Sequence, residues 1–194
     1  MHTGGEMNFQ ESLNGILPRL KEESFLNNRG LGNEIPFYIF DYPAKEELNV
    51  RKHISFLISQ LEQPSHPIKV LHIKLFELMV EHLREQGLLE KSFDLEEKKG
   101  SSALLSALSA MVHPERFKLL IQEKYQKAEF QMIFISGVGS IWPWVRTHTL
   151  LNNLQSVTGS TPVVMFYPGV YDKQAVKLFD LLEPNNYYRA FRLL

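Results

Sequence analysis

Five short stretches of this chain are apolar almost without interruption, and segments patterned for helix separate each from the next. The clearest is Met132-Ile133-Phe134-Ile135; the others lie within "IPFYIFDY" (35–42), "IKVLHIKLF" (68–76), "PVVMFY" (162–167) and "YYRAFRLL" (187–194). A strand with one face in water alternates apolar and polar residues, whereas a strand covered on both faces does not. Strands of the second kind joined through helices run parallel, since a tight turn cannot return the chain to a parallel start. The expected fold is α/β: a single doubly wound, mostly parallel sheet of about five strands with helices on both faces, Rossmann-like or P-loop-like, with a helical insertion.

The intervening segments supply the helices. Phe9, Leu13, Ile16, Leu17 and Leu20 recur at helical spacing, and Pro18 is predicted to kink or divide that helix. Pro43 suits the first turn of the next helix, Glu46 and Glu47 favour its positive end, and Val50, Ile54, Leu57, Ile58 and Leu61 form its apolar stripe. A helical stretch through Leu83, a polar connection at 94–102, a small-residue helix from Ser102 to Val112 and another from Pro114 to Gln126 make up the insertion over 77–127. Helices over 143–156 and from Lys173 to Leu182 complete the alternation. The chain shows no internal repeat and is expected to form one domain over 1–194, with 1–7 flexible.

A chain of 194 residues can bury a sizeable core without staples. It has no cysteine, which excludes disulfides, thiolate catalysis and cysteine-ligated zinc and fits a reducing compartment. With 21 Lys+Arg against 22 Asp+Glu, the formal charge of −1 argues against a globally basic surface. DNA contact is therefore expected only indirectly or weakly, and membrane contact not at all. The start "MHTGGEMNFQESL" lacks a basic stretch followed by an apolar one, so a cytoplasmic address is the expectation.

"SGVGSIWPWVRTH" (136–148), directly after the third strand, raises the question of a phosphate loop. Gly137 and Gly139 fill two places of a dinucleotide fingerprint, but Trp142 occupies the third, and no lysine followed by Ser or Thr comes after the glycines. The stretch reads first as a strand-to-helix turn, with an anion held at the helix start beside Arg146 as the alternative. Ser136, His148 and Asp41 could be assembled into a hydrolase triad, but Ser136 lacks the G-x-S-x-G elbow. His2, His53, His66, His72, His82 and His113 are scattered without metal-ligand spacing. No catalytic residue, cofactor or metal is predicted.

Asp41, with Lys45, Glu46 and Glu47, reads as a helix-start charge pattern before it reads as a nuclease acid. Tyr167-Pro168-Gly169 is predicted to turn after the fourth strand, with Asp172 capping the helix that follows. Tyr187, Tyr188, Arg189, Phe191 and Arg192 suit an edge strand, a partner surface or a nucleic-acid contact.

Four motifs in order, "FYIFDYPAKEELNVR" (37–51), "RTHTLLNNL" (146–154), "VVMFYPGVYD" (163–172) and "NNYYRAFRL" (185–193), resemble the BrxB family, the small cytoplasmic B component of BREX bacteriophage-defence systems. They cover nearly everything from residue 35 to the C-terminus. The resemblance implies a place in a multi-protein system that restricts phage and marks host DNA by adenine methylation. It implies as companions an alkaline-phosphatase-like PglZ protein, an AAA-type ATPase and a methyltransferase, with docking of the PglZ protein the foremost role. Family members are not established enzymes, so the resemblance transfers no catalytic position. The motif residues it marks for partner binding or structure include Asp41, Arg146, His148, Asn152, Tyr167, Gly169, Tyr188, Arg189 and Arg192.

Overall fold

In the computed structural model, each of the five apolar runs supplies a strand. The structure describes residues 8–27, 36–65, 67–109, 112–171, 176–179 and 190–194. The strands are β1 (Phe37–Tyr42), β2 (Val70–Lys74), β3 (Met132–Ser136), β4 (Val163–Tyr171), a short β5 (Val176–Leu178) that no apolar run announced, and β6 (Phe191–Arg192). The path through the sheet is β2-β3-β4-β1-β6, and every pairing along it is parallel. β1 and β4 run side by side from Phe37↔Val163 to Tyr42↔Pro168.

Alternation along the strands sends side chains into two cores. Phe37, Ile39, Ile133, Ile135, Val163, Met165 and Tyr167 enter one; Tyr38, Phe40, Tyr42, Met132, Phe134, Val164 and Phe166 enter the other. The second core is covered by α1 (Phe9–Leu20), α2 (Glu23–Leu26) and α3 (Glu47–Leu61). Val50, Ile54, Leu57 and Leu61 of α3 are all buried, and each contributes about 1.5–3 kcal/mol relative to exposure, which fixes the rotation of the helix. The first core is covered by α4 (Leu75–Glu85), α6 (Ser101–Ser109), α7 (Pro114–Lys127) and α8 (Thr147–Thr158), through residues such as Leu78, Leu108, Phe117, Ile121 and Leu154. The doubly wound arrangement is thus present, with helices on both faces.

Several local expectations are corrected. Pro18 lies inside α1, which ends two residues later, and a separate turn of helix, α2, resumes after Glu22. The "polar connection" is largely helical: α5 (Leu89–Lys99) runs through it and stops at Gly100, whose φ of 79° and N–H bond to the Glu96 carbonyl close the helix. β2 passes into α4 at Leu75 with no loop between them. β4 does not turn at Pro168-Gly169; it continues to Tyr171 and pairs antiparallel with β5, Gly169↔Leu178 to Tyr171↔Val176. The helix expected from Lys173 to Leu182 is therefore a strand over 176–178. Its local helical spacing loses to backbone pairing with the extended end of β4.

Candidate functional site

Ligands in doubly wound sheets bind beyond the carboxyl ends of the strands. At that end of this sheet, the two glycines after β3 have structural work. Gly137 has a φ of 78°, and its Cα side faces the backbone of Leu75 and Phe76 at the start of α4. A Cβ on Gly139 would fall 2.7 Å from the Phe179 ring, so glycine is required there by the packing of that ring. Gly139–Ile141 forms only a 3-10 turn, the Trp142–Pro143 peptide is cis, and α8 starts later than expected, at Thr147. The strand-to-helix reading of this stretch therefore describes its geometry. Its two tryptophans divide: Trp144 donates from Nε1 to the Leu105 carbonyl at 3.2 Å, whereas Trp142 is 42% exposed.

Asp41 ties three strands together. Its Oδ2 accepts from the Tyr171 backbone N–H at 3.0 Å and from the Arg192 guanidinium at 2.9 Å, and Arg192 also donates to the Tyr171 carbonyl. Tyr171 in turn donates its hydroxyl to the Ala190 carbonyl. β1, β4 and β6 are thus clamped at one end, and the Asp41 carboxylate is committed to holding the sheet. Asp41 is occupied here and Ser136 pairs with His72, so neither is engaged as a member of the hydrolase triad considered from the sequence.

Of the other motif positions, Tyr167 is buried in the first core and Gly169 is buried in the pairing with β5. Arg146 is exposed at the N-cap of α8 and offers that helix no side-chain cap; Asn152 is exposed on α8; His148 lies on α8. The apolar members of "RTHTLLNNL", Leu150, Leu151 and Leu154, pack into the first core. Arg192 lies on the edge strand β6, as the alternating arginines suggested. Tyr188, Arg189 and Asp172 lie outside the described residues.

The cleft at this end was not anticipated. It has a volume of about 350 Å³ and lies between α3 and the carboxyl ends of β2 and β3. Parallel register puts Lys74 opposite Ser136 and His72 opposite Phe134, so His72, Lys74 and Ser136 share the sheet face that α3 covers. His72 Nε2 is 2.8 Å from Ser136 Oγ. Burial pushes the His72 imidazole down to about 4, helped by the Lys74 charge and opposed by Glu77. An imidazole so hard to protonate is a poor base for activating Ser136, and the pair offers hydrogen bonds more readily than proton transfer.

A second chain of contacts reaches the cleft from α3. The buried Tyr42 hydroxyl donates to Glu47 Oε2 at 2.6 Å, and Glu47 Oε1 accepts from Arg51 Nε at 2.7 Å. Desolvation, then the bond to Glu47 and its charge, keeps the Tyr42 phenol well above its ordinary range. Arg51 then reaches across to Ser140 Oγ at 3.4 Å. Lys74 bridges to Glu77 at 2.9 Å, an exposed pair of little energetic weight. These residues escaped sequence reasoning because no motif joins them: His72 and Ser136 are 64 residues apart and meet only through strand register. Among the described residues, no group of three or more His, Cys, Asp or Glu could hold a metal ion. Among them, too, no helix is long and apolar enough to cross a membrane.

Comparison with known proteins gives one consistent result. Residues 71–193 match the profile of a family described as BREX protein BrxB. A BREX protein BrxB of Bacillus cereus (strain H3081.97) is 42% identical over 189 residues, covering 95% of this chain and 96% of that protein. A BREX protein BrxB of Escherichia coli O9:H4 (strain HS) is 39% identical over 182 residues, covering 94% of this chain and 90% of its own. No solved structure matches.

Proposed function

Since this chain belongs to the BrxB family of BREX proteins, and so has a role in a BREX system, we propose that it serves there as a non-catalytic docking subunit. It folds as one domain over 1–194 and binds the alkaline-phosphatase-like PglZ protein, with the BREX ATPase and methyltransferase as further candidates. Any effect on DNA runs through those partners from the cytoplasm.

The observation that carries this reading is the apolar rim at the carboxyl end of the sheet. Leu48 in the first turn of α3, Phe76 in the first turn of α4, Trp142 after β3, Val170 at the end of β4 and Phe179 after β5 are all at least 36% exposed. Leu48, Phe76, Trp142 and Val170 lie at or beyond the carboxyl end of a parallel strand, and the bond of the Phe179 N–H to the Pro168 carbonyl brings Phe179 to the same end although β5 runs antiparallel. Large exposed apolar side chains gathered on one end, rimmed by charges such as Arg51, Lys74 and Arg146, suit a protein interface, where buried aromatics carry most of the binding energy.

Co-purification from cells expressing the complete operon tests the reading. The expected outcome is stoichiometric recovery of the PglZ protein with a tagged copy of this chain. Failure of every BREX component to bind would end it.

A further inference from the structure

We propose that the cleft between α3 and the ends of β2 and β3 binds a nucleoside monophosphate, with the phosphate toward Arg51 and Ser140 and the base against Phe76. Gly137 and Ser140 of the turn after β3 line this cleft, Arg146 is not among its described lining residues, and the proposal stands independently of which protein docks on the rim.

Size and position come first. A cavity of about 350 Å³ at the carboxyl ends of parallel strands falls at the lower end of the range that small-molecule sites occupy, roughly 300–1,000 Å³. It takes one nucleotide-sized compound. Its walls differ in character: Ile54 and Phe76 are apolar, while Arg51, Ser140, His72 and Ser136 present polar groups to the same space. An apolar wall facing a few convergent polar groups is the usual composition of a ligand site.

The phosphate end follows from how Arg51 is held. Glu47 engages its Nε, and Tyr42 holds Glu47 from within the core, so the guanidinium is fixed with Nη2 directed at Ser140 across the cleft. A guanidinium anchored from behind, with its outer edge beside a hydroxyl, suits a phosphate oxygen pair. The 3.4 Å separation of Arg51 from Ser140 is long for a hydrogen bond, and a phosphate would engage both more closely. Glu77, the one carboxylate among the described lining residues, is already held by Lys74.

Ser136, only 9% exposed, is the buried polar group at the base of the cavity. His72 stays neutral at physiological pH because burial opposes its protonation. In the tautomer with the proton on Nε2, His72 donates to Ser136 Oγ and leaves the serine hydrogen free for a ligand oxygen. Phe76, 45% exposed in the first turn of α4, then offers its ring for stacking a planar base.

Isothermal titration calorimetry of the full chain tests this with AMP, GMP, CMP and UMP, and with adenosine and ribose 5-phosphate as the two halves of AMP. At least one of the four monophosphates should bind saturably at one site; if it is AMP, each half should bind at least tenfold more weakly. Arg51→Gln should weaken the monophosphate at least tenfold, and Phe76→Ala should weaken it severalfold. Both side chains are about half exposed, so unliganded melting temperatures should stay at the wild-type value. Absence of saturable binding by all four monophosphates would overturn the proposal. So would wild-type affinity in both variants or, where AMP binds, equal affinity for AMP and ribose 5-phosphate.

Discussion

Asp41 illustrates how a motif residue can serve the fold rather than a reaction. It sits at the end of β1 with a side chain only 15% exposed, and it accepts from a backbone N–H of β4 and from Arg192 of β6. Hydrogen bonds to a charged group are worth about 1.5–3 kcal/mol each. Asp41→Asn is therefore expected to destabilise the protein by roughly 2 kcal/mol, and Arg192→Gln by less, since Arg192 is 43% exposed. A double-mutant cycle read by urea unfolding checks this: coupling of roughly 0.5–3 kcal/mol is expected, and additive effects would remove the clamp. The sequence placed Asp41 at a strand end and Arg192 on the last strand but could not pair them, because 151 residues separate the two. The histidines add a pH dependence. His72 is pushed down to about 4, and burial also lowers His53 and His82; Arg116 Nε donates to His82 Nε2, which therefore carries no proton. A histidine whose folded value lies below its unfolded value of 6.5 binds fewer protons when folded, so stability is full above that pH. It is lost progressively as pH falls from about 6.5 toward 4. Melting temperature should fall across that window, and His72→Gln should flatten the slope; an unchanged slope would show that His72 is not shifted.

At the scale of elements, β1, β3 and β4 were legible because burial on both faces writes a continuous apolar run into the sequence. Helix α3 was legible because one buried face writes a 3.6-residue stripe. β5 was not, because its three residues derive their conformation from pairing with β4 rather than from any pattern of their own. Residues 94–99 of α5 were read as a connection because none of them is buried, so they carry almost no apolar signal. The turn after β3 allows a direct test of the glycine argument. Gly137→Ala must adopt a φ of 78° with ordinary space around its Cβ, so it should cost about 1–2 kcal/mol through the backbone alone. Gly139→Ala meets the Phe179 ring instead. Its cost should be relieved in the double variant Gly139→Ala/Phe179→Ala, whereas no second-site change of that kind rescues Gly137→Ala. Thermal denaturation of the four proteins distinguishes strain from crowding, and equal behaviour at both glycines would refute the distinction.

At the scale of the whole molecule, the cleft and the docking rim share one end of the sheet, and a test of docking must leave the sheet intact. Removal of the tail cannot do that. Leu193 is buried, β6 pairs with β1, and the Ala190 carbonyl receives the Tyr171 hydroxyl, so deletion of residues 185–194 removes part of the second core along with any surface. Loss of a partner would then report unfolding. Leu48 and Trp142 are better probes, at 68% and 42% exposure on two different elements of the rim. Exposed substitutions of this kind change stability by about 0.5 kcal/mol or less, whereas truncating an aromatic at the centre of an interface costs 2 kcal/mol or more. Leu48→Glu and Trp142→Ala should therefore keep the wild-type melting temperature and together reduce recovery of the PglZ protein at least tenfold. A matched control, Phe93→Ala on α5, removes a ring that is 56% exposed on an element away from the rim and should leave recovery unchanged. Equal loss in the control would make the effect one of general surface apolarity, and full recovery in the rim variants would move the docking surface elsewhere.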